Sequence, residues 1–252
     1  MGSLFSSIKM EGEEGLRPLI KWAGGKRWLV PHLRRIYTPH RYRRLVEPFC
    51  GGLVITLGLL PEKALLNDIN PHLINFYRWV KKGLHIEVPM TNDASLYHLH
   101  RDRFNDLIRK EQADSHEAAQ LFYYLNRTGY NGLCRFNRQG EFNVPFGRYR
   151  QINYQRDFLR YATIFEKWDF MCSDFANLPL DSEDFVYADP PYDVPFRQYS
   201  EWGFSWEDQV FGWPNGCSGT PAPSSSPIKP QNASWSFTGT WAIKFIFWRD
   251  QE

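Results

Sequence analysis

The stretch from Arg44 to Lys82 constrains the fold more than any other part of the chain. Arg44-Leu45-Val46-Glu47-Pro48-Phe49 has the composition of a short strand. Cys50-Gly51-Gly52 follows as a glycine turn, and a helix is predicted from about Val54 to Leu60. Ala64-Leu65-Leu66 is a second apolar run and ends at Asn67-Asp68. Leu73, Phe76, Tyr77 and Val80 then recur at helical spacing over about 72–82. Strand, glycine turn, helix, strand, acid is a βαβ unit, which commits the chain to a parallel sheet. Such units take nucleotide-like ligands at the glycine turn, and an acid closing the second strand can accept both ribose hydroxyls. Alone, the glycine turn is a weak signal. Asp68, with Asn67 beside it, can equally be read as a helix N-cap.

A second constraint stands at Asp189-Pro190-Pro191-Tyr192. Phe185-Val186-Tyr187-Ala188 reads as a buried strand, and two prolines then forbid both helix and further ladder pairing. The result is a carboxylate, a carbonyl and an aromatic ring at the C-terminal edge of a strand, where open α/β sheets bind ligands. A purely structural turn is the competing reading of the tetrad alone.

With 252 residues, 42% of them hydrophobic, the chain fits one large domain or one domain carrying an insert. A leader is expected over 1–17, a first α/β part over 18–83, an inserted subdomain over 84–160 and the resumed α/β part over 161–210. The insert contributes helices at about 95–112 and 115–126, then the turn-like Asn137-Arg138-Gln139-Gly140. Strands are expected again at Phe170-Met171-Cys172-Ser173 and at 185–188.

The formal net charge is only +2, and its distribution says more. Arg34, Arg35, His40, Arg41, Arg43 and Arg44 crowd one segment. Arg127, Arg135, Arg138, Arg148 and Arg150 crowd another, interleaved with Tyr123, Tyr124, Tyr130, Phe136, Phe142, Phe146 and Tyr149. Cations among aromatics suit phosphate contact and base stacking; solvated basic faces are the plainer account, and weigh more on the first cluster. Four scattered cysteines suit neither a zinc knuckle nor a disulfide framework, so free thiols in a reducing cytosol are expected. Without a signal peptide or an apolar run of membrane length, a cytoplasmic protein with no membrane partner is expected.

Lys21-Trp22-Ala23-Gly24-Gly25-Lys26 looks at first like a phosphate loop. The glycine required earlier is absent, however, and Arg27 stands where Ser or Thr is needed. A glycine turn that lets backbone approach a small ligand, with Trp22 packing and Lys26 pairing a carboxylate, fits better.

These segments together resemble the Dam-type, α-arrangement DNA adenine-N6 methyltransferases. The resemblance rests on 21–26, 47–52, 66–70, 125–133 (Leu-Asn-Arg-Thr-Gly-Tyr-Asn-Gly-Leu), 140–147 (Gly-Glu-Phe-Asn-Val-Pro-Phe-Gly) and 186–192, in the family's order. It covers residues 18 to about 209. It implies a Rossmann-like methyltransferase sheet of α/β class with an inserted helical and hairpin DNA-recognition subdomain. It also implies S-adenosylmethionine as cofactor, double-stranded DNA as partner, no metal, and a monomer.

By the same resemblance Trp22, Lys26, Phe49, Gly51, Asp68, Asp174 and Asp189 are the cofactor-binding residues. Asp189, Pro190 and Tyr192 carry catalysis on an adenine that leaves the duplex. Arg127, Asn131, Arg135 and Asn137 are the candidate DNA contacts. Methyltransferases of protein glutamine or RNA are a rival class; Asp189 and the arginine-rich insert favour DNA.

After Gln209 the chain changes character. A Gly/Ser/Pro run over 218–227 precedes Trp235, Trp241 and Trp248. A linker and a short tryptophan-rich β segment is one account. A frameshift from Phe211 is the expected one, because a permitted shifted reading restores a helical period and an apolar strand ending in Ser-Asn, as the family continues. On that reading 211–252 is an aberrant tail, the C-terminal part of the sheet is lost, and an inactive remnant that at most binds DNA or cofactor becomes the alternative function.

Overall fold

A computed structural model describes residues 16–190, together with the backbone of two short strands at 235–236 and 242–245. The first α/β part forms as its pattern requires. Strand β1 (Leu45–Glu47) leads through the Pro48–Gly52 turn to helix α2 (Val54–Leu59), strand β2 (Ala64–Asn67) and helix α3 (Pro71–Lys81). All seven residues of β1 and β2 are buried, so neither strand shows polar alternation, as in a parallel sheet covered on both faces.

Helix α1 (Val30–Tyr37) precedes β1 and is absent from the sequence expectation. Its signal is nevertheless present: Val30, Leu33 and Tyr37 form a buried stripe at i, i+3, i+7, and Pro31 sits in the first turn where its missing N–H costs nothing.

Helices α4 (Ala94–Arg109) and α5 (His116–Thr128) make up the helical half of the insert. Both start on side-chain caps: Asp93 accepts from Leu96 N, and Ser115 from Ala118 N. The hairpin half pairs Phe136 with Phe142 around the Asn137–Gly140 turn. Asn105 of α4 both donates to and accepts from the Phe142 backbone, at 3.1 and 2.8 Å, and so pins the hairpin to the helices.

Helix α6 (Leu159–Phe165) returns the chain to strand β3 (Trp168–Met171), followed by β4 (Phe185–Ala188). Strand β3 begins two residues earlier than the sequence suggests, because buried Trp168 pairs with Ala64 and donates its indole N–H to Pro61 O at 3.1 Å.

The sheet runs β3-β2-β1-β4 and continues through β6 (Ala242–Phe245) to β5 (Trp235–Ser236); β5 alone is antiparallel. The strand order reverses at β1, which has β2 on one side and β4 on the other. The carboxyl ends of β1 and β4 therefore flank the crevice where such sheets bind ligands. At the opposite end, Arg44 holds Asp184 in a two-point pair at 2.8 and 2.6 Å, tying the start of β1 to the start of β4. The frameshift expected over 211–252 and the sheet loss it implies lie outside the described residues, apart from the backbone of β5 and β6.

Candidate active site

Four loops meet at the carboxyl edge of β1, β2 and β4. The turn after β1 is held from both sides. Gly51 N–H donates to Asp68 Oδ2 at 3.1 Å, while Gly51 O accepts from the buried Tyr77 hydroxyl at 2.7 Å. Gly51 has φ +44°, and a Cβ there would lie 2.6 Å from Trp22 Nε1. A Cβ on Gly52 would lie 2.9 Å from Trp22 Cβ. These glycines are therefore needed so that the indole can lie on the turn.

Asp68 is not a helix cap. Its Oδ1 accepts Asn70 N–H at 3.0 Å and its Oδ2 accepts Gly51 N–H, so the carboxylate is fixed at the end of β2. Asn70 caps α3 instead, its side-chain oxygen accepting from His72 N and Leu73 N. Burial raises the Asp68 pKa, and the two backbone N–H bonds oppose the shift. Asn67, which carries no assigned role from sequence, braces the crevice floor. Its amide donates to Pro48 O at 2.9 Å and to Ser173 O at 3.0 Å, linking the loops after β1 and β3.

Asp189 follows β4, and Lys26 from the first glycine loop sits on it, Nζ lying 2.5 Å from Oδ1 and 2.6 Å from Oδ2. Both side chains are mostly covered, at 12% and 25% exposure, so the pair is shielded from bulk screening. Pro190 continues the backbone directly beyond it; Tyr192 lies outside the described residues. Below them Glu47, buried at the end of β1, accepts a hydrogen bond from the Thr56 hydroxyl. Desolvation pushes its pKa up to about 8, against the Thr56 bonds, with the neighbouring Asp189 charge adding to the rise.

The remaining sequence-derived residues fall in two places. Phe49 lies against Phe175 at 5.3 Å in a small apolar cluster with Val46, Leu178 and Val186. Asp174 is exposed nearby and caps the 175–177 turn, accepting from Ala176 N at 2.8 Å. The four insert residues do not converge in the same way. Arg127 donates to Leu19 O and lies over the Tyr123 ring at 5.3 Å. Arg135 grips Asn143 through Nε at 2.8 Å and Nη2 at 3.0 Å. Asn137 folds back on the hairpin, accepting from Gln139 N and Glu141 N. Asn131 alone is an exposed side chain on a tip in the left-handed region, at φ +52° beside half-exposed Tyr130.

The insert also touches the first glycine loop. Asn126 of α5 accepts Lys21 N–H at 2.8 Å and donates to Lys21 O at 2.7 Å, as a neighbouring strand would. The Lys21 ammonium lies 4.0 Å from the centre of the Tyr149 ring. Anchoring residue 21 in this way leaves Trp22 and Lys26 to project from a fixed base.

Residues 22–226 match the model of the D12 class N6 adenine-specific DNA methyltransferases. The chain belongs to this family. It is 37% identical over 227 residues to the type II methyltransferase M1.LlaDCHI of Lactococcus lactis subsp. cremoris, covering 81% of this chain and 77% of that one. It is 38% identical to the DNA adenine methylase of Haemophilus influenzae over 72% of this chain and 65% of the relative. For the DNA adenine methylase of Escherichia coli K12 the figures are 36%, 77% and 73%. The D12-class methyltransferase has, among its described residues, no cluster of His, Cys, Asp and Glu able to hold a metal ion, and no helix long and apolar enough to cross a membrane.

Proposed function

We propose that this D12-class chain transfers the methyl group of S-adenosylmethionine to the N6 amine of an adenine flipped out of duplex DNA. The observation that carries the reading is the placement of Asp189 and Pro190 at the switch-point edge, beside a glycine cradle and an oriented acid. The donor set fits the cofactor. Asp68 offers paired carboxylate oxygens to a ribose diol, Trp22 and Phe49 offer apolar faces, Asp174 an exposed acceptor for an adenine amine, and Lys26 a cation for a carboxylate. When bound, the cofactor supplies an electrophilic methyl on a sulfonium.

The chain's own residues supply positioning. Adenine's exocyclic nitrogen is a poor nucleophile because its lone pair is delocalised into the ring. The Asp189 carboxylate and the Pro190 carbonyl each accept one N–H, which holds the nitrogen with its lone pair turned out of the ring plane. A carboxylate has about four lone-pair sites, so Asp189 can accept that N–H while still paired with Lys26. Tyr192 stacks on the base. Asn131 at the loop tip contacts DNA directly, and Arg127, Arg135 and Asn137 set the shape of the surface that does so. The protein works as a cytoplasmic monomer without metal.

A second reading follows from the composition change after Gln209. On this reading residues 211–252 are encoded in a shifted frame, and the chain binds cofactor or DNA without transfer. Incubation with tritiated cofactor and unmethylated duplex DNA separates the two: label in N6-methyladenine supports the enzyme, while binding without label supports the remnant. Label on protein or RNA would contradict both. Sequencing the gene tests the frameshift independently, because the nucleotides must restore a helix-strand-helix pattern in the alternative frame.

A further inference from the structure

Asn70 and His72 connect the end of β2 to the hairpin of the insert. Asp68 Oδ1 accepts the backbone N–H of Asn70 at 3.0 Å. The side-chain amide of the same Asn70 donates to Cys134 Sγ at 3.3 Å while its oxygen caps α3. Two residues on, the buried His72 ring stacks on Phe136 at 4.8 Å and 20°, with Phe104 edge-on at 5.1 Å. Cys134 and Phe136 bracket Arg135, whose guanidinium holds Asn143 across the hairpin. Asn70 thus hydrogen-bonds Asp68 with its backbone and the hairpin with its side chain. Nothing in composition marks it, since a residue of this type before Pro71 reads as an ordinary cap.

We infer that Asn70 and Cys134 are positioning residues that couple occupancy of the cofactor site to the setting of the DNA-recognition hairpin. The inference rests on the proposed role of Asp68 toward the cofactor ribose. A diol hydroxyl that bonds Asp68 Oδ1 shares that oxygen with Asn70 N–H, so the position of the carboxylate is set by both donors together. Any shift of the carboxylate moves the Asn70 backbone, and with it an amide whose oxygen is tied to two N–H groups of α3. The only free adjustment of that amide is at the Cys134 end. Coupling of this kind is direct, through adjacent contacts, and by linkage it must be reciprocal: cofactor strengthens DNA binding by the same factor as DNA strengthens cofactor binding.

The test is a binding cycle on the full chain. Labelled, sheared unmethylated genomic DNA is titrated with and without saturating S-adenosylhomocysteine, and S-adenosylhomocysteine is titrated with and without that DNA. In the wild type both ratios should agree at about fivefold or more, the lower end of typical site-to-site coupling. Cys134→Ala removes the acceptor and should bring the ratio to within about twofold of one, with each separate affinity changed less than about twofold. Cys134→Ser restores a polar acceptor and should return most of the ratio. An unchanged ratio in Cys134→Ala overturns the inference, as does a wild-type ratio of one, or equal weakening of every binding step. Asp68→Asn separates the two levels of the argument. If it leaves S-adenosylhomocysteine binding intact, the reading of the cofactor site fails; if it weakens binding while Cys134→Ala leaves the ratio intact, only the coupling fails.

Discussion

Lys26 and Asp189 lie 163 residues apart in sequence, yet the Lys26 ammonium touches both carboxylate oxygens of Asp189, at 2.5 and 2.6 Å. The contact joins the first glycine loop to the end of β4 across the crevice, so under the proposed function the loop assigned to the cofactor also orients the Asp189 carboxylate. Replacing Lys26 by Met keeps the length and removes the charge. Methyl transfer should fall by about 100-fold, the usual loss when a preorganised electrostatic contact is deleted at a reacting centre. Single-turnover kinetics checks this; a loss confined to cofactor affinity would mean that Lys26 binds but does not aim.

Gly51 should tolerate no side chain. Alanine there would meet Trp22 Nε1 at 2.6 Å and carry a positive φ of 44°. The clash and the strain together are expected to cost about 2 kcal/mol. The displaced indole should weaken S-adenosylhomocysteine binding by roughly tenfold, measurable by calorimetry. Gly24 has φ +78° with no atom near its missing Cβ, so Gly24→Ala tests strain without the clash and should affect binding less.

Stability should decline on both sides of mildly acidic pH, through two different groups. His72 is buried against Phe136 and Phe104, and desolvation lowers its pKa to about 4 from 6.5. Between those values the unfolded chain takes up a proton that the native state refuses, so about 3 kcal/mol is lost as pH falls from 6.5 to 4. Glu47 acts in the opposite sense. Its native pKa, near 8, lies above the ordinary 4.5, so the native state keeps a proton that the unfolded chain loses. That contribution is complete below pH 4.5 and fades as pH rises toward 8. Thermal melts across pH should show His72→Phe flattening the acid limb and Glu47→Gln flattening the alkaline limb. Unchanged limbs would contradict the assignments.

Arg44 and Asp184 fasten the amino ends of β1 and β4, with Asp184 only 3% exposed. Arg44→Ala strands a buried carboxylate and should cost about 3 kcal/mol, read by urea denaturation. Because the pair lies at the edge opposite the crevice, cofactor affinity of the folded fraction should not change.

The β1–α3 unit was legible because its chemistry is local: apolar runs, a glycine turn and a 3.6-residue period require no partner to be recognised. Asp189 was legible because two prolines leave few alternatives for a strand end. Other roles depend on residues distant in sequence. Asn67 reads only as the end of an apolar run and Asn70 as an ordinary cap before Pro71, and only the fold shows one bracing two loops and the other meeting Cys134 from 64 residues away. Arg127 and Arg135 read as candidate DNA contacts by residue type, and the fold adds hydrogen bonds from their guanidinium groups to Leu19 O and Asn143, groups that no spacing rule connects to them. Glu47 appears in the sequence only within a strand-like run; its raised pKa arises from burial, which sequence does not display.

The amine clamp proposed for Asp189 and Pro190 is tested most directly by one comparison. Wild type and Asp189→Ala are incubated with unmethylated duplex DNA and cofactor, and N6-methyladenine is quantified alongside DNA affinity. The predicted result is methyladenine with the wild type and none above background with Asp189→Ala, while DNA affinity is largely retained. Methyladenine formed by Asp189→Ala at the wild-type rate would contradict it.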